Sequence, residues 1–314
     1  MKVLFVSSGN ATSGISPIIK NQGESLKQAG IELEYFPIKG KGLTGYLKNI
    51  NKLKKFLKNE DFDIIHAHYS LTSFVATLAG AKPLIVSLMG SDVKEKTWVL
   101  FLIHFFKRFF WKKTIVKSEE MASVIGQNNV HVIPNGVDLE LFKPIAKEEA
   151  KRKVNLEIDK KYILFAANPD RPEKNFPLAS NAYNKINDRD VELLYLKNLS
   201  HEQIPYYINS AEVVILSSLW EGSPNVIKEA MACNIPIVST DVGDVKWIIG
   251  NTEGCFISSF EPEVMKDEIE KAFEFARVKE KTKGRERIIK LGLDSDTIAQ
   301  KIINTYQSIL DKKK

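Results

Sequence analysis

The chain has 314 residues, of which 44% are hydrophobic and 27% are charged. This length suggests two domains, and this composition excludes disordered, collagen-like and coiled-coil proteins. With only two cysteines, Cys233 and Cys255, the chain cannot be a disulfide scaffold, and a reducing compartment suits it. No cysteine–histidine cluster has zinc-binding spacing, and no apolar run reaches the roughly 18 residues of a membrane span.

The net charge of +6 is concentrated in the first half of the chain. Residues 39–117 contain 15 basic and five acidic residues, whereas residues 145–314 contain 26 basic and 27 acidic residues. One-sided basic charge is typical of proteins with an anionic partner, such as nucleic acid, anionic lipid or a phosphorylated substrate.

In chain order, short apolar runs alternate with helical patterns. The opening MKVLFVSS has the pattern of a strand rather than of a signal peptide. Further apolar residues recur at helical spacing from Leu43 to Leu57, which predicts a helix with one apolar face. Strands of the first half are predicted at 3–7, 32–38, 63–68, 84–88, 114–117 and 130–133.

The same alternation restarts after Pro144, with strands predicted at 162–166, 192–196, 213–217, 235–239 and 255–258. The fold class is therefore expected to be α/β, with two facing, doubly wound Rossmann-like domains. We expect the first domain at 1–144 and the second at 145–295, while a C-terminal helix at about 296–314 could pack back on the first domain. Ligands of such folds bind at the C-terminal ends of the strands, so the cleft between the domains is the expected active site.

The loop after the first strand lacks the standard nucleotide-binding motifs. Gly9 and Gly14 have the spacing of a P-loop, but Ile15 and Ser16 stand where Lys and Ser or Thr are required. A G-x-G-x-x-G fingerprint is also absent, so a Walker-type ATPase and a standard dehydrogenase are both disfavoured. The loop is either a plain strand–helix turn or a place where a ligand approaches the backbone at Gly14.

The most informative segment, LWEGSPNVIKEAMAC at 219–233, follows the predicted strand 213–217. Ser223 is expected to cap a helix with Pro224 in its first position, so that free backbone N–H groups form an anion site. Glu221 lies in the loop and Glu229 two turns later, where carboxylates can accept hydrogen bonds from sugar or ribose hydroxyls. On their own, two glutamates eight residues apart would more often be a surface pair.

Two further segments carry polar residues at strand ends. The segment AANPDRPEKN at 166–175 contains Arg171 and Lys174, which can clamp a diphosphate or can be two solvated charges in a proline-rich turn. The segment VIPNGVD at 132–138 predicts a turn that closes the first domain.

Taken together, these segments resemble the retaining family-4 nucleotide-sugar glycosyltransferases, which have the GT-B fold. The resemblance rests on Glu-x7-Glu running into AMAC, on IPIV and DVG after it, on PNGVD, and on the Arg171 and Lys174 pair. DIIHAH at 63–68 is similar to the third strand of the family. The similarity extends over nearly the whole chain and is strongest to bacterial cell-envelope polysaccharide transferases of the teichuronic acid type.

The resemblance implies a role for each matching residue. Glu221 would contact the donor sugar near the reacting centre, Arg171 and Lys174 would hold the leaving diphosphate, and Glu229 would bind ribose hydroxyls. The rest of the donor pocket would be lined by Gly222, Ser223, Asn225 and Val226, with Gly14 in a loop over the phosphates. The nucleotide diphosphate sugar, UDP- or GDP-linked, is a substrate, so no cofactor is implied, and no role for nucleic acid follows.

The chain departs from the family pattern at two positions. Met89 stands where the family often has a histidine before Gly-Ser-Asp, while Asp92 stays a candidate for the acceptor side. Asn168 stands where the phosphate loop usually opens with Gly-Arg. His66 and His68 share one face of a strand, where packing or structural hydrogen bonds are the commoner roles, although His68 is a second acceptor-side candidate.

The predicted chemistry is metal-independent sugar transfer, because fixed positive groups and helix N–H donors can stabilise the leaving diphosphate. Retention of the anomeric configuration is implied by the family resemblance and not by the spacing of the glutamates. The sequence does not decide between covalent attack by Glu221 and entry of the acceptor on the leaving-group face. A GT-B-type epimerase, a phosphorylase and a non-catalytic nucleotide-sugar-binding protein stay as alternatives.

A hydrophobic segment of the first domain, WVLFLIHFFKRFFW at 98–111, predicts contact with a membrane. A wide apolar arc would cover the sheet, and Leu100, Phe101 and Trp111 intrude among the charges on the other side. We expect these three side chains to enter lipid while the basic groups meet anionic headgroups. The protein is therefore expected in the cytoplasm of a bacterium, peripheral on the inner face of the plasma membrane, with a glycan or lipid-linked acceptor.

Overall fold

A computed structural model describes residues 1–11, 14–90, 93 and 97–311. Contacts between Cα atoms divide the chain into two units, Met1–Gly136 with Ser295–Lys314 and Val137–Asp294. The sequence placed this division after residue 144. It falls after Gly136 because the backbone N–H of Val137 donates to the Leu293 carbonyl at 2.9 Å, which ties Val137 into the second unit.

Within the described residues, the first unit has a parallel sheet in the order β2-β1-β3-β4-β5-β6. Its strands carry buried apolar side chains on both faces, as expected of a sheet covered on both sides. The strands are β1 (Lys2–Ser8), β2 (Glu32–Ile38), β3 (Ile64–His68), β4 (Leu84–Ser87), β5 (Lys113–Val116) and β6 (Val130–Val132).

The helices of the first unit include the last helix of the chain, which packs against the first one. They are α1 (Pro17–Gln28), α2 (Gly42–Leu47), α3 (Ile50–Asn59), α4 (Ser70–Leu78), α5 (Thr97–Phe109), α6 (Glu119–Ile125) and α14 (Ser295–Leu310). The apolar pattern from Leu43 to Leu57 forms two helices rather than one. Buried Asn49 separates them, and its side-chain amide donates to the carbonyls of Lys39 and Gly45, each at 2.9 Å.

The second unit has a parallel sheet in the order β11-β10-β9-β7-β8. Its strands are β7 (Lys161–Phe165), β8 (Val191–Tyr195), β9 (Val213–Leu216), β10 (Ile237–Thr240) and β11 (Cys255–Ser258). Its helices are α7 (Lys147–Lys153), α8 (Phe176–Tyr183), α9 (Ile204–Ser210), α10 (Asn225–Ala232), α11 (Val245–Ile249), α12 (Pro262–Lys279) and α13 (Gly284–Leu291).

Both units are therefore doubly wound α/β domains, which confirms the fold class. In each sheet the chain order reverses beside the first strand, between β1 and β3 in one and between β7 and β9 in the other. In such sheets ligands bind outside the carboxyl ends of the strands at this reversal. In the part of the chain that the structure describes, no helix has the length and apolar character needed to cross a membrane.

Candidate functional site

Two loops meet where the strand order of the second sheet reverses. Phe165 lies opposite Ile215 in the sheet, so the loops that follow β7 and β9 leave the same edge. The backbone N–H of Leu219 donates to the Glu173 carbonyl at 2.9 Å. The Ser217 hydroxyl donates to the carbonyl of Lys174 at 3.0 Å, so the two loops are held side by side.

These contacts bring Lys174 and Glu221 together. The Lys174 ammonium forms an ion pair with the Glu221 carboxylate, and each side chain is only 13% exposed. Ser218 donates a second hydrogen bond to Glu221 at 2.8 Å. Charged pairs with little water around them are strongly oriented. The edge therefore holds one fixed cation and one fixed carboxylate at the same point.

A third loop, after β10, closes against the loop of Glu221. Gly243 has a φ of +58°, and a Cβ atom there would lie 2.6 Å from the carbonyl oxygen of Gly222. Only glycine allows this approach, because any side chain would meet backbone. Gly243 was noticed in the sequence as part of DVG, but its contact with the predicted donor loop was not. The available signal was a glycine in the short loop after a predicted strand.

The helix that follows Glu221 begins later than predicted. Helix α10 begins at Asn225, with Pro224 in the capping position and without a side-chain cap. Ser223 lies one residue before the capping position, and its hydroxyl accepts a hydrogen bond from the Lys228 ammonium at 3.1 Å. Gly222 and Ser223 follow Glu221 in the loop, and Asn225 and Val226 are the first two residues of α10.

A buried charged cluster supports this loop from behind, and sequence reasoning missed it. Lys228 is fully buried, and the buried carboxylate oxygens of Asp244 lie close enough for the two charges to interact. Burial lowers the pKa of Lys228 to about 8 and raises the pKa of Asp244 to about 6, and each opposite charge limits the other shift. Because Lys228 bonds to Ser223, the cluster orients the segment that carries Glu221.

Glu229 lies next to Lys228 on α10, but its carboxylate differs from Lys228 in its hydrogen bonding. Among the described residues it has no hydrogen-bond or ion-pair partner. Burial raises its pKa to about 7, against the opposing charge of neighbouring Lys228. A partly buried carboxylate without a protein partner is available to accept hydrogen bonds from the hydroxyls of a ligand.

Arg171 does not join the pair of Lys174 and Glu221. Its side chain is 56% exposed and forms an ion pair with Glu173, to which Nε donates at 2.7 Å. Asn168, where the family loop usually opens with glycine, accepts a hydrogen bond from the backbone N–H of Asp170 at 3.0 Å. Across the described residues, no three His, Cys, Asp or Glu side chains are grouped in a way that could hold a metal ion.

In the first unit, Gly14 lies in the loop that follows β1. It has a φ of +84°, and its N–H donates to the Ala11 carbonyl at 2.8 Å. A Cβ atom at Gly14 would meet nothing within 4 Å, so the space beside this backbone is open. The acceptor-side candidate Asp92 lies outside the described residues.

His68, an acceptor-side candidate, lies in the core of the first unit. His66 and His68 are fully buried, and their rings stack 4.2 Å apart. His66 is hydrogen-bonded to Tyr306 and Ser87, both at 2.7 Å. Burial lowers the pKa of His66 to about 3 and the pKa of His68 well below its ordinary value, so both rings are neutral.

The next residue, Tyr69, is the strained residue of this edge. It has a φ of +85° and a ψ of 147°, a region that almost only glycine adopts. Its backbone N–H donates to the Ser87 carbonyl at 2.8 Å, and its side chain is half-buried. Strain of this kind concentrates at functional sites, and no sequence pattern announced it.

The fold defines a doubly wound α/β protein, and the charged strand edge at the chain reversal is its candidate ligand site. Residues 191–290 match the family described as glycosyl transferases group 1, and residues 17–141 match Glycosyltransferase Family 4. The chain belongs to the family-4 type glycosyltransferases of GT-B fold. The resemblance seen in the sequence is thereby confirmed.

Individual relatives are more distant. The chain is 25% identical to a Bacillus subtilis protein assigned to teichuronic acid biosynthesis as a glycosyltransferase, over 65% of this chain and 60% of the relative. It is 26% identical to the Escherichia coli UDP-Gal:α-D-GlcNAc-diphosphoundecaprenol α-1,3-galactosyltransferase, over 65% of this chain and 64% of that one. The chain thus matches less than two thirds of the length of either relative.

Among solved structures, the fold is similar to that of Anabaena HepE in complex with UDP and glucose. The TM-score is 0.76 at 17% identity, over 98% of this chain and all of the other. At this identity the similarity supports the fold alone.

Proposed function

We propose that the protein transfers a sugar from a nucleotide diphosphate donor to a glycan acceptor in the synthesis of a cell-envelope polysaccharide. The observation that carries the proposal is the pairing of Lys174 with Glu221 where the strand order reverses, with Glu229 unpartnered on the next helix. Family membership and the names of the two curated relatives support the same reaction class.

In this reaction the bond between the anomeric carbon and the diphosphate oxygen breaks, and a bond to an acceptor hydroxyl forms as that hydroxyl loses its proton. Negative charge grows on the diphosphate, so a cation fixed beforehand stabilises the transition state more than the bound donor. Lys174 is the first candidate for this role, with Arg171 joining it after release from Glu173. Together with the N–H groups at the start of α10, these cations would make a divalent metal unnecessary.

The remaining donor contacts follow from the same edge of the sheet. Glu221 would contact the sugar near the anomeric carbon once Lys174 turns to the diphosphate, and Glu229 would accept from the ribose hydroxyls. The segment beside them would line the pocket through Gly222, Ser223, Asn225 and Val226. Gly14 of the first unit would belong to a loop that covers the phosphates.

For the substrates, we propose a UDP-linked sugar as donor and a lipid-linked glycan as acceptor, with a GDP-linked sugar as the second donor to test. The name of the Escherichia coli relative contains both a UDP-sugar and a diphosphoundecaprenol acceptor, which supports this choice. We propose retention of the anomeric configuration on family grounds. A lipid-linked acceptor would bring the protein to the cytoplasmic face of a bacterial plasma membrane.

The test is to incubate the purified chain with UDP- and GDP-sugars, with and without diphosphoundecaprenol-linked sugar, and to follow the products by mass spectrometry. We expect a glycosylated lipid with one donor and no loss of activity in excess EDTA. Donor isomerisation without acceptor would indicate an epimerase, and sugar 1-phosphate formed with inorganic phosphate would indicate a phosphorylase. Donor binding without turnover of any acceptor would contradict catalysis.

A further inference from the structure

Helix α5 exposes a continuous stripe of aromatic side chains. Trp98, Phe101, Phe105 and Phe109 are 45%, 71%, 46% and 67% exposed. At 100° per residue, their spacing of three, four and four residues places them within an arc of about 80°. Phe110, directly after the helix, extends the stripe, with its ring centre 6.2 Å from that of Phe105. We call the four helical residues the aromatic stripe.

The structure corrects which side chains of this segment face outward. Of the three predicted to leave the protein, only Phe101 is exposed, whereas Leu100 packs against the core and Trp111 is 5% exposed. The Trp111 indole N–H donates to Thr77 at 3.0 Å. The face turned to the core is formed by Val99, Ile103 and Phe106.

Exposed basic side chains lie on α5 beside the aromatic stripe and on α3. Arg108 and His104 are exposed on α5 itself. Helix α3 exposes Lys52, Lys54, Lys55 and Lys58. Both α3 and α5 pack against α4, so the lysines and the aromatic stripe belong to one layer of helices on the first sheet.

The aromatic and basic side chains of this surface indicate which partner would bind it. A helix with large aromatic groups on one side and cations beside them is typical of segments that lie in the headgroup region of a membrane. A second copy of the chain would bring two sets of lysines face to face, which opposes self-association through this surface. An anionic surface is attracted by the same charges.

We propose that the aromatic stripe docks the first unit on an anionic membrane. Its rings enter the boundary between headgroups and acyl chains, while Arg108 and the lysines of α3 contact the phosphates. The choice of a membrane rests on the lipid-linked acceptor of the proposed function, whereas the exposed aromatic groups and the charges are independent of it.

The experiment measures sedimentation of the full chain with vesicles of phosphatidylglycerol and phosphatidylcholine, and with vesicles of phosphatidylcholine alone. We expect binding to the anionic vesicles only, weakened by salt. The double variant Phe101→Ser, Phe109→Ser should bind about tenfold more weakly or worse, because its most exposed aromatic groups are removed. The matched control is Trp247→Ser with Phe260→Ser in the second unit, two side chains that are 50% and 49% exposed and should leave binding unchanged.

Three results would overturn the proposal. Two of them are failure of the wild type to sediment with either kind of vesicle at low salt, and binding of the Phe101 and Phe109 variant equal to that of the wild type. A wild-type dimer in analytical ultracentrifugation that the same variant abolishes would assign the stripe to a second copy. Calorimetric titration with UDP separates this outcome from failure of the proposed function, since the variant should keep the nucleotide affinity of the wild type.

Discussion

The two sheets of this protein reverse their strand order in the same way, but their carboxyl edges differ in charge. The edge of the second sheet keeps an oriented ion pair of Lys174 and Glu221, and buried Lys228 and Asp244 lie behind it. At the edge of the first sheet, His66 and His68 are buried and neutral, and Tyr69 is strained. The comparison teaches that one topology can hold an oriented ion pair at one edge and, at the other, a packed frame of histidines beside the buried Lys117.

The largest expected effect comes from removing one member of the buried pair, Lys228 and Asp244, behind the carboxyl edge of the second sheet. Lys228→Met should lower the free energy of unfolding by about 3–5 kcal/mol, because Asp244 is left buried without its counter-charge. The measurement is urea unfolding of the wild type and the variant. Lys246→Met, on an exposed lysine of the same unit, is the control and should change stability by less than about 1 kcal/mol.

Adding Asp244→Asn to Lys228→Met should recover part of the lost stability, because both charges are then gone. Additive losses in the double variant would show that the two groups do not depend on each other.

The next effect compares the two cations of the proposed diphosphate site. Lys174→Met should lower kcat by about 100- to 1000-fold with a smaller change in KM, because leaving-group charge is greatest in the transition state. Arg171→Met should also lower kcat more than it raises KM, but by less, because Arg171 is exposed and paired with Glu173. Steady-state kinetics with saturating acceptor measure both. A rise in KM alone for Lys174→Met would reduce its role to donor binding.

A smaller effect is expected from the Glu229 carboxylate, which destabilises the folded state when it is ionised. Its pKa is raised to about 7, so the folded state holds a proton that the unfolded state releases near pH 4.5. Stability from this group is complete below pH 4.5 and is lost as the pH rises through 7. Glu229→Gln, which stays neutral, should therefore be more stable than the wild type by about 1–2 kcal/mol at pH 8 and equal to it at pH 4.

Thermal unfolding at both pH values checks this prediction. A variant that is less stable than the wild type at pH 8 would mean that Glu229 has a stabilising partner in the fold.

The smallest expected effect is at the first edge. Because the pKa of His66 is lowered to about 3, its ring should not titrate between pH 5 and 8. Stability linked to a lowered histidine pKa is kept above pH 6.5 and is lost as the pH falls toward 3. Histidine ring resonances in NMR spectra, assigned with a His66→Gln variant, measure this directly. A resonance of His66 that moves near pH 6.5 would show that the ring is hydrated.

Strands and topology followed from the sequence because buried parallel strands are short apolar runs between turns. All eleven predicted strands are present with shifts of one or two residues, and β2 and β11 match their predicted bounds. The break at Asn49 could not be predicted, since it depends on carbonyls that the fold brings to one amide.

Parts of the site were predictable and others were not. Glu221, Glu229 and Lys174 were visible because they belong to a family pattern in the segments that follow two of the predicted strands. The cluster of Lys228 with Asp244 was not, because a lysine beside a glutamate gives no sign that it is buried. The outward face of α5 was also missed. Apolar residues lie on nearly every side of that helix, so a helical-wheel projection alone does not identify the face that packs against the core.

The central claim is that the charged edge of the second sheet binds the nucleotide of the donor, and calorimetric titration of UDP and GDP tests it most directly. At pH 8, above the pKa of about 7 of Glu229, the wild type should bind one of them, and Glu229→Gln should weaken that binding by about 1.5–3 kcal/mol through loss of charge-assisted hydrogen bonds. Glu263→Gln, on a 67% exposed glutamate of the same unit, should bind like the wild type. Equal nucleotide affinity in the wild type and Glu229→Gln would contradict the account.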